Sequence, residues 1–326
     1  MRDGLAPFHN DPFAPRRARR LMGWGGTMAE SLKDKVVIVT GGGRGIGRAI
    51  AIACAGEGAK VVVADRGLAL DGSSPDFAVA EEVVSAIRAQ GGEALATGES
   101  VAAKSGADAI VDAAVSEWGR IDGVVCCAGI LRHRPFLELT ESDFDAVIAS
   151  HLKGHFLMYH AALSRMVEQG SGGSLIGISS GYVLGDPART PYRAAKAGIV
   201  ALTKSVAMAG AGHKVRANVI SPIADTRMTQ ASQLPIQAQP EDVAPMAVYL
   251  LSDRAADISG EVYSVSGTSI AIWEDPHERR SMRNPSRWTQ DEIEANIGWL
   301  RAGAPAAQPP VPPLPDSAKP TAEPDA

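Results

Sequence analysis

The chain contains little cysteine, and none of it follows a pattern that forms disulfides or binds metal. Only three cysteines occur among the 326 residues, Cys54, Cys126 and Cys127, and two of them are adjacent. An odd number without a recurring spacing excludes a regular disulfide framework and predicts no metal site. Reduced cysteines are typical of a reducing compartment, so the sequence predicts a cytoplasmic protein.

Long apolar segments and an excess of positive charge are also missing. No apolar run approaches the roughly 18 residues of a membrane-spanning helix, and the first residues lack the apolar core of a secretory signal. Lys and Arg number 32 against 37 Asp and Glu, which gives a formal net charge of -5. No basic field therefore favours nucleic acid or an anionic membrane surface. We expect a small-molecule partner, with no nucleic acid and no membrane.

Composition divides the chain into three parts. Residues 1–33 are rich in Pro, Gly and Arg without hydrophobic periodicity, and residues 301–326 are rich in Pro and Ala. Both segments have too few apolar side chains to support a core, so we predict a disordered arm and a disordered tail. Residues 34–300 are predicted to form one folded domain.

Within this domain, short β-branched runs alternate with longer, Ala-rich amphipathic segments. The predicted strands cover residues 35–40, 60–65, 122–129, 174–180 and 215–221. Nearly continuous apolar strands separated by helices are typical of a parallel sheet that is covered on both faces. The sequence therefore predicts an α/β fold with a doubly wound parallel sheet, the Rossmann fold, in which ligands bind at the carboxyl ends of the strands.

The first predicted strand leads directly into the glycine-rich loop TGGGRGIGRAI. Gly41, Gly45 and Gly47 permit a tight turn and a close backbone approach to a pyrophosphate. The helix that follows offers unpaired N–H groups and a favourable dipole at its N-terminus. This arrangement predicts a dinucleotide-binding site.

An acidic residue after the second strand indicates which dinucleotide is bound. Asp65 lies roughly 20 residues after the loop, where a carboxylate accepts the hydroxyls of the adenosine ribose and repels a 2′-phosphate. Arg44 and Arg66 act in the other direction, because either guanidinium could attract that phosphate. The sequence predicts NAD as the cofactor and leaves NADP as the alternative.

The stretch TPYRAAKAG places Tyr192 four residues before Lys196. On a helix, residues at this spacing share one face, so the ammonium can lie beside the phenol and stabilise its ionised form. Tyr192 could then act as a general acid and base. The preceding strand ends with Ser179 and Ser180, either of which could donate a hydrogen bond to a substrate oxygen.

Together, the TGxxxGxG loop, the acid after the second strand, and a serine about a dozen residues before YxxxK resemble the short-chain dehydrogenase/reductase family. The resemblance implies a catalytic serine beside Tyr192 and Lys196. Counting back from the tyrosine gives Ser179, whereas the strand register gives Ser180; we choose Ser180 and keep Ser179 in reserve. The implied cofactor-binding residues are Gly41, Arg44, Gly45, Ile46, Gly47, Asp65, Ser100, Val101, Ala128, Gly129, Tyr192, Lys196, Ile223 and Thr226.

The chain departs from the family pattern in two places. The usual NNAG sequence is CCAG here, residues 126–129, which we interpret as small buried packing residues. The helix asparagine that helps to hold a proton-relay water is replaced by His151, which we keep as a candidate catalytic residue because an imidazole can donate and accept a proton.

A narrower resemblance supports the second departure. The segments GRIDGVVCCAGILRHRPF, HLKGHF and EDVAPMAVYLLSD are similar to the (3R)-hydroxyacyl-CoA dehydrogenase domains of peroxisomal multifunctional enzymes and to their bacterial single-domain relatives. That subgroup also carries histidine at the position of His151. The similarity further implies a short C-terminal helical extension beyond about residue 270, and a segment at residues 221–240 that closes over the nicotinamide.

The expected reaction is the NAD-dependent interconversion of a secondary alcohol and a ketone, on a 3-hydroxyacyl-CoA or a hydroxysteroid. A 3-oxoacyl-carrier-protein reductase is one alternative, and a non-catalytic NAD-binding scaffold is another. The family resemblance also implies a homo-dimer or homo-tetramer that pairs through helices such as the one beginning near Tyr192.

Overall fold

The computed structural model describes residues 30–181, 185–230, 236–285 and 287–302. Most of the predicted N-terminal arm and nearly all of the predicted C-terminal tail lie outside the described residues, so their disorder stays a prediction. Within the described part of the chain, no helix has both the length and the apolar character needed to cross a membrane.

The architecture is the predicted doubly wound α/β sheet. The strands are β1 (Val36–Thr40), β2 (Lys60–Ala64), β3 (Ala94–Thr97), β4 (Gly123–Cys126), β5 (Gly173–Ile178), β6 (Val215–Ile223), β7 (Val262–Ser266) and β8 (Ser269–Ile272). The helices are α1 (Gly45–Gly56), α2 (Ala78–Ala89), α3 (Lys104–Trp118), α4 (Glu141–Ile148), α5 (Gly154–Gln169), α6 (Thr190–Gly210), α7 (Arg227–Gln230), α8 (Ala244–Leu251) and α9 (Gln290–Arg301).

The strands form one sheet in the order β3-β2-β1-β4-β5-β6-β7-β8. All neighbouring pairs are parallel except β7 and β8, which are antiparallel. The strand order reverses between β1 and β4, and a crevice opens at such a switch point, at the carboxyl ends of the strands. The fold therefore predicts the binding site beside the glycine-rich loop.

Strand β1 shows why the sheet is covered on both faces. Val37 and Val39 pack in one buried cluster with α1, α2 and α8, whereas Val36 and Ile38 pack in another with α3, α5 and part of α6. Alternate residues of a strand point to opposite faces of the sheet. A strand that is apolar at every position therefore needs both faces of the sheet to be covered. Each such side chain stabilises the fold by about 1.5–3 kcal/mol.

The observed strands differ from the predicted ones at several ends. The strand predicted at 122–129 ends at Cys126, so residues 127–129 leave the sheet at the cavity. The strand predicted at 174–180 ends at Ile178, which places both serines just beyond it. Strands β3, β7 and β8 were not predicted; β3 is a short ALAT segment, and β8 is a four-residue SIAI segment whose residues are all exposed.

The C-terminal extension is present as α9. None of its residues is buried. Arg280 donates to the carbonyl oxygen of Trp299 at 2.7 Å, and its guanidinium lies 5.3 Å from the centre of the Trp299 ring. This contact ties the helix to the segment that precedes it.

Helix α5 buries a histidine, His155. His155 is 2% exposed, and its Nδ1–H donates to the carbonyl oxygen of His151 at 2.7 Å. Within the described residues its Nε2 has no hydrogen-bond partner. Burial, followed by the charge of Lys196, lowers the pKa of His155 to about 3. The folded protein therefore holds this imidazole in its neutral form.

We expect His155 to make the protein less stable in acid. Its folded-state pKa is depressed, so the unfolded chain binds a proton that the folded chain does not. The free energy of unfolding should fall as the pH is lowered from about 6.5 towards 3, by at most about 1.4 kcal/mol per pH unit from this group. The free energy of unfolding, measured with urea at several pH values in this range, should depend less steeply on pH for His155→Gln than for the unaltered protein. His160→Gln, on the exposed side of α5, is the matched control; equal slopes in the two variants would contradict the assignment.

Candidate active site

The predicted site residues meet in one cavity of about 930 Å³ at the carboxyl ends of the strands. Its lining includes Gly41, Arg44, Gly45, Ile46, Gly47, Asp65, Ser100, Val101, Ala128, Gly129, His151, Ser179, Ser180, Tyr192, Lys196 and Thr226. Ile223 is 51% exposed and does not line the cavity. A second cavity of about 840 Å³ lies at the amino ends of the strands and contains none of these residues.

The glycine-rich loop is packed too closely for side chains. A Cβ atom on Gly47 would collide with the carbonyl oxygen of Gly41. Gly41 has φ of +65°, and a Cβ there would lie 2.7 Å from the backbone nitrogen of Ala128. The loop is therefore pressed against the end of β4 by contacts that only glycine permits.

Helix α1 begins at Gly45 without a capping side chain. Its N-cap residue, Arg44, makes no side-chain cap hydrogen bond, and the first turn contains no acidic residue. The N–H groups of the first turn thus lack the side-chain acceptor that usually satisfies them, and the helix dipole favours an anion at this end. These features fit the pyrophosphate of a dinucleotide.

Asp65, which follows β2, contacts the glycine-rich loop. Its carboxylate accepts hydrogen bonds from the backbone N–H groups of Gly43 at 2.9 Å and Gly67 at 2.7 Å. A carboxylate has about four acceptor positions, so two remain for further donors. The side chain is held in place and can still accept hydrogen bonds from hydroxyl groups.

Two arginines flank Asp65. The guanidinium of Arg44 donates to the carbonyl oxygens of Gly67 and Leu68 at 3.3 and 3.1 Å, so it supports the loop after β2. Arg227 also lines the cavity; burial, followed by the charge of Arg44, lowers its pKa. The sequence analysis missed Arg227, although it directly follows the predicted Thr226.

The helix that carries the tyrosine and lysine forms as the spacing predicts. Helix α6 has Pro191 in its first turn, where the missing N–H group is not needed. Lys196 is 3% exposed, its Nζ lies 5.4 Å from the centre of the Tyr192 ring, and it donates to the carbonyl oxygen of Ile178 at 2.6 Å. Burial lowers the pKa of Lys196, and Tyr192 opposes that shift.

The two candidate serines have different surroundings. Ser179 is 2% exposed, and its hydroxyl donates to the carbonyl oxygen of Lys196 at 2.8 Å. Ser180 is half-buried, and its Oγ lies 3.4 Å from a guanidinium nitrogen of Arg193. The hydroxyl hydrogen of Ser179 is therefore used within the fold, whereas that of Ser180 can point into the cavity.

His151 is buried against Tyr192. The chain forms a π-helical turn at Ala149–Lys153, which nothing in the sequence predicted, and this turn carries the histidine. The two rings meet edge to face with centres 5.3 Å apart. His151 Nε2 lies 2.7 Å from the carbonyl oxygen of Ile130, which can only accept, so the ring proton is on Nε2.

This tautomer leaves a lone pair on His151 Nδ1. The atom is buried and has no hydrogen-bond partner among the described residues. Burial, followed by the charge of Lys196, holds the pKa of His151 well below its usual value. At neutral pH the imidazole can therefore accept a hydrogen bond through Nδ1 and carries no positive charge.

The cysteines beside the loop are poor nucleophiles. Burial raises the pKa of Cys127 to about 12, and it also raises the pKa values of Cys54 and Cys126. A protonated thiol neither attacks a substrate nor binds metal readily. Among the residues that the structure describes, no group of three or more His, Cys, Asp or Glu side chains could hold a metal ion.

The ring of His151 also explains why residue 129 is glycine. A Cβ atom on Gly129 would collide with the imidazole. We expect Gly129→Ala to lower the free energy of unfolding by about 1–3 kcal/mol, because one of the two groups must move. When His151 is already replaced by alanine, the collision is removed. Adding Gly129→Ala to His151→Ala should therefore lower the free energy of unfolding much less than Gly129→Ala does in the unaltered protein. Gly56→Ala, at an open helix position, is the control for alanine itself; a Gly129→Ala protein as stable as this control would contradict the packing argument.

Comparisons with known proteins agree with this geometry. The family model described as short chain dehydrogenase matches residues 35–236. Hydroxyacyl-CoA dehydrogenase ChsB1 of Mycobacterium tuberculosis is 36% identical over 296 residues, which cover 85% of this chain and 92% of that protein. The crystal structure of a short chain dehydrogenase from Mycobacterium avium has 39% sequence identity and a TM-score of 0.77, and the match covers 86% of this chain and 98% of the other.

A longer protein shows the same similarity. The peroxisomal hydratase-dehydrogenase-epimerase of Saccharomyces cerevisiae is 36% identical over 268 residues, which cover 81% of this chain and only 29% of the yeast protein. The resemblance to multifunctional enzymes and to bacterial single-domain relatives is therefore confirmed. From its family model, its fold and these relatives, the chain belongs to the short-chain dehydrogenase/reductase family of oxidoreductases.

Proposed function

We propose that this protein is an NAD-dependent dehydrogenase that interconverts a secondary alcohol and a ketone on a 3-hydroxyacyl-CoA. The observation that carries the proposal is the placement of Tyr192 beside the buried ammonium of Lys196, in the same cavity as Ser180 and the glycine-rich loop. The family supplies the reaction class, and relatives named for hydroxyacyl-CoA and for hydratase-dehydrogenase activity support the substrate class.

In this proposal, side chains of the protein carry out the proton transfer. In the oxidative direction, Ser180 donates a hydrogen bond to the substrate oxygen, and Tyr192 accepts the proton of the substrate hydroxyl. NAD supplies the hydride acceptor when it is bound. In the reductive direction, the same tyrosine returns the proton to the oxygen.

Lys196 has two tasks in this scheme. Its ammonium lies 5.4 Å from the centre of the Tyr192 ring and is the cation beside the tyrosine in this scheme. One of its three N–H bonds is taken by the carbonyl oxygen of Ile178, so two remain for a ribose hydroxyl and for the tyrosine. His151 contributes an acceptor in its neutral form, at Nδ1.

Asp65 supports NAD over NADP. Its carboxylate is fixed by Gly43 and Gly67 and keeps acceptor positions for ribose hydroxyls, while its charge opposes a 2′-phosphate. Of the arginines that could supply a counter-charge, Arg44 is bound to two backbone carbonyls, and Arg66 and Arg227 also line the cavity. The cavity residues Gly41, Gly45 and Gly47 would hold the pyrophosphate.

Two wider expectations from the sequence remain predictions. The homo-oligomer is supported by exposed apolar side chains on the helices expected to pair, such as Phe156 on α5 and Met208 on α6, which are 49% and 81% exposed. The cytoplasmic location rests on the reduced cysteines.

The proposal is tested most directly at Tyr192. Tyr192→Phe keeps the ring but removes the exchangeable proton, so kcat with a 3-hydroxyacyl-CoA and NAD should fall by about 100-fold or more, with little change in NAD affinity. Lys196→Met should lower kcat and also weaken NAD binding. Tyr249→Phe, on α8, is the matched control and should retain full activity. A Tyr192→Phe enzyme that kept more than about a third of its rate would exclude this mechanism.

A substrate panel tests the substrate class. The unaltered enzyme should oxidise 3-hydroxyacyl-CoA thioesters faster than hydroxysteroids, and it should reduce 3-oxoacyl thioesters of carrier protein more slowly than those of CoA. Reduced nicotinamide is followed by its absorbance. NAD binding without turnover of any of these compounds would favour the non-catalytic scaffold.

The cofactor preference is tested at Asp65. We expect NAD to bind at least about tenfold more tightly than NADP, which corresponds to about 1.4 kcal/mol. Asp65→Ala should narrow this ratio, because the charge that repels the 2′-phosphate is removed. Titration of both nucleotides measures it, with the exposed Asp257→Ala as the control for charge. Equal affinities in the unaltered protein would show that the neighbouring arginines, and not Asp65, determine the preference.

A further inference from the structure

Arg193 does not line the cavity but contacts Ser180, which does, and neither the sequence motifs nor the reaction scheme explains this contact. It directly follows Tyr192 on α6, and its side chain extends towards the end of β5. One terminal guanidinium nitrogen lies 3.4 Å from Ser180 Oγ and donates to the carbonyl oxygen of Gly181 at 3.0 Å. The other lies 3.9 Å from a carboxylate oxygen of Asp186.

The chemistry of the guanidinium determines the direction of the contact with Ser180. Arginine carries only donors and stays protonated throughout the working pH range. Ser180 Oγ must therefore be the acceptor, and the guanidinium occupies one of its lone pairs. The hydroxyl hydrogen of Ser180 is then directed to another acceptor. In the proposed reaction, that acceptor is the substrate oxygen.

The surrounding contacts hold Arg193 in place without neutralising it fully. Asp186 forms its shorter ion pair with Arg189, at 2.6 Å, so one carboxylate serves two guanidinium groups. The Arg193 side chain is 19% exposed. Within the described residues, its buried Nε has no hydrogen-bond partner. A net positive charge thus remains beside Ser180, and a charged donor makes a stronger hydrogen bond than a neutral one.

We infer that Arg193 is a positioning residue for Ser180: it orients the serine hydroxyl towards the substrate oxygen and strengthens it as a donor. This inference rests on the proposed function, because it gives Arg193 a role only through the serine. Ser179 shows the contrast, since its hydroxyl donates to the carbonyl oxygen of Lys196 within the fold and has no guanidinium beside it.

A double-mutant cycle tests the inference. Arg193→Met keeps much of the side-chain length but removes the donors, and Ser180→Ala removes the acceptor. We expect Arg193→Met to lower kcat about tenfold, while the KM for the 3-hydroxyacyl-CoA and the affinity for NAD stay within about twofold. In the Ser180→Ala background, Arg193→Met should have little further effect on kcat, because contacting residues that act as a unit are not additive.

The controls distinguish an effect of Arg193 on the Ser180 hydroxyl from a general support of the segment after β5. Arg193→Lys keeps one charged donor and should lose less activity than Arg193→Met. Arg165→Met, at a partly exposed position of α5 outside the cavity, should leave kcat unchanged. Thermal unfolding and NAD titration of each variant report on folding; if Arg193→Met does not fold, the same cycle is run with Arg193→Lys and Arg193→Gln.

Two results would overturn the inference. An equal loss of kcat from Arg193→Met with and without Ser180 would show that the arginine does not act through the serine. A large rise in KM with unchanged kcat would assign it to substrate binding or to loop support. Failure of the proposed function is recognised separately, because Tyr192→Phe would then retain activity whatever the outcome of the cycle.

Discussion

The buried ammonium of Lys196 is the interaction on which the rest of the site depends. A cation that is 3% exposed is costly unless acceptors surround it. The structure supplies the carbonyl oxygen of Ile178, the last residue of β5, at 2.6 Å. The centre of the Tyr192 ring lies 5.4 Å from the ammonium. The charge then determines the state of its neighbours, because it lowers the pKa values of His151 and His155 in addition to the larger effect of burial. Burial and this one cation together keep two imidazoles neutral.

The two serines that follow β5 have different roles: Ser179 supports the fold, and Ser180 is the proposed donor to the substrate. Ser179 continues the pairing with β6, because its N–H donates to the carbonyl oxygen of Ile220 at 2.8 Å, and its hydroxyl reaches the carbonyl oxygen of Lys196. This contact joins the strand to α6 near the ammonium. Ser180, one residue later, is outside the sheet and beside Arg193. Counting from the tyrosine and following the strand register chose serines one residue apart, and this one residue separates the two surroundings.

The sequence predicted those parts of the fold that rest on local patterns. The β-branched runs gave the central strands, the glycine loop gave the turn into α1, and the four-residue spacing gave the neighbouring Tyr192 and Lys196. It could not show where pairing stops, because the apolar run at 122–129 continues after β4 has left its partner β1. Nor could it show Arg193, Arg227 or the π-helical turn, since their importance comes from residues distant in the sequence. Strand β8 was missed because it has only four residues, SIAI, which lie exposed and antiparallel at the edge of the sheet.

Histidine in place of the family's asparagine at position 151 also affects the contacts with Ile130 and Gly129. An asparagine side chain offers a donor and an acceptor on separate atoms, whereas His151 meets the backbone of Ile130 through Nε2 alone. With the proton on Nε2, the contact with the carbonyl oxygen is a hydrogen bond and the contact with the N–H group at 3.2 Å is not. The imidazole also needs more room, which Gly129 supplies by lacking a side chain. Its second nitrogen, Nδ1, is buried and offers an acceptor lone pair. His151 therefore brings a buried lone pair to this position, and it links residue 151 to the CCAG segment through its packing against Gly129.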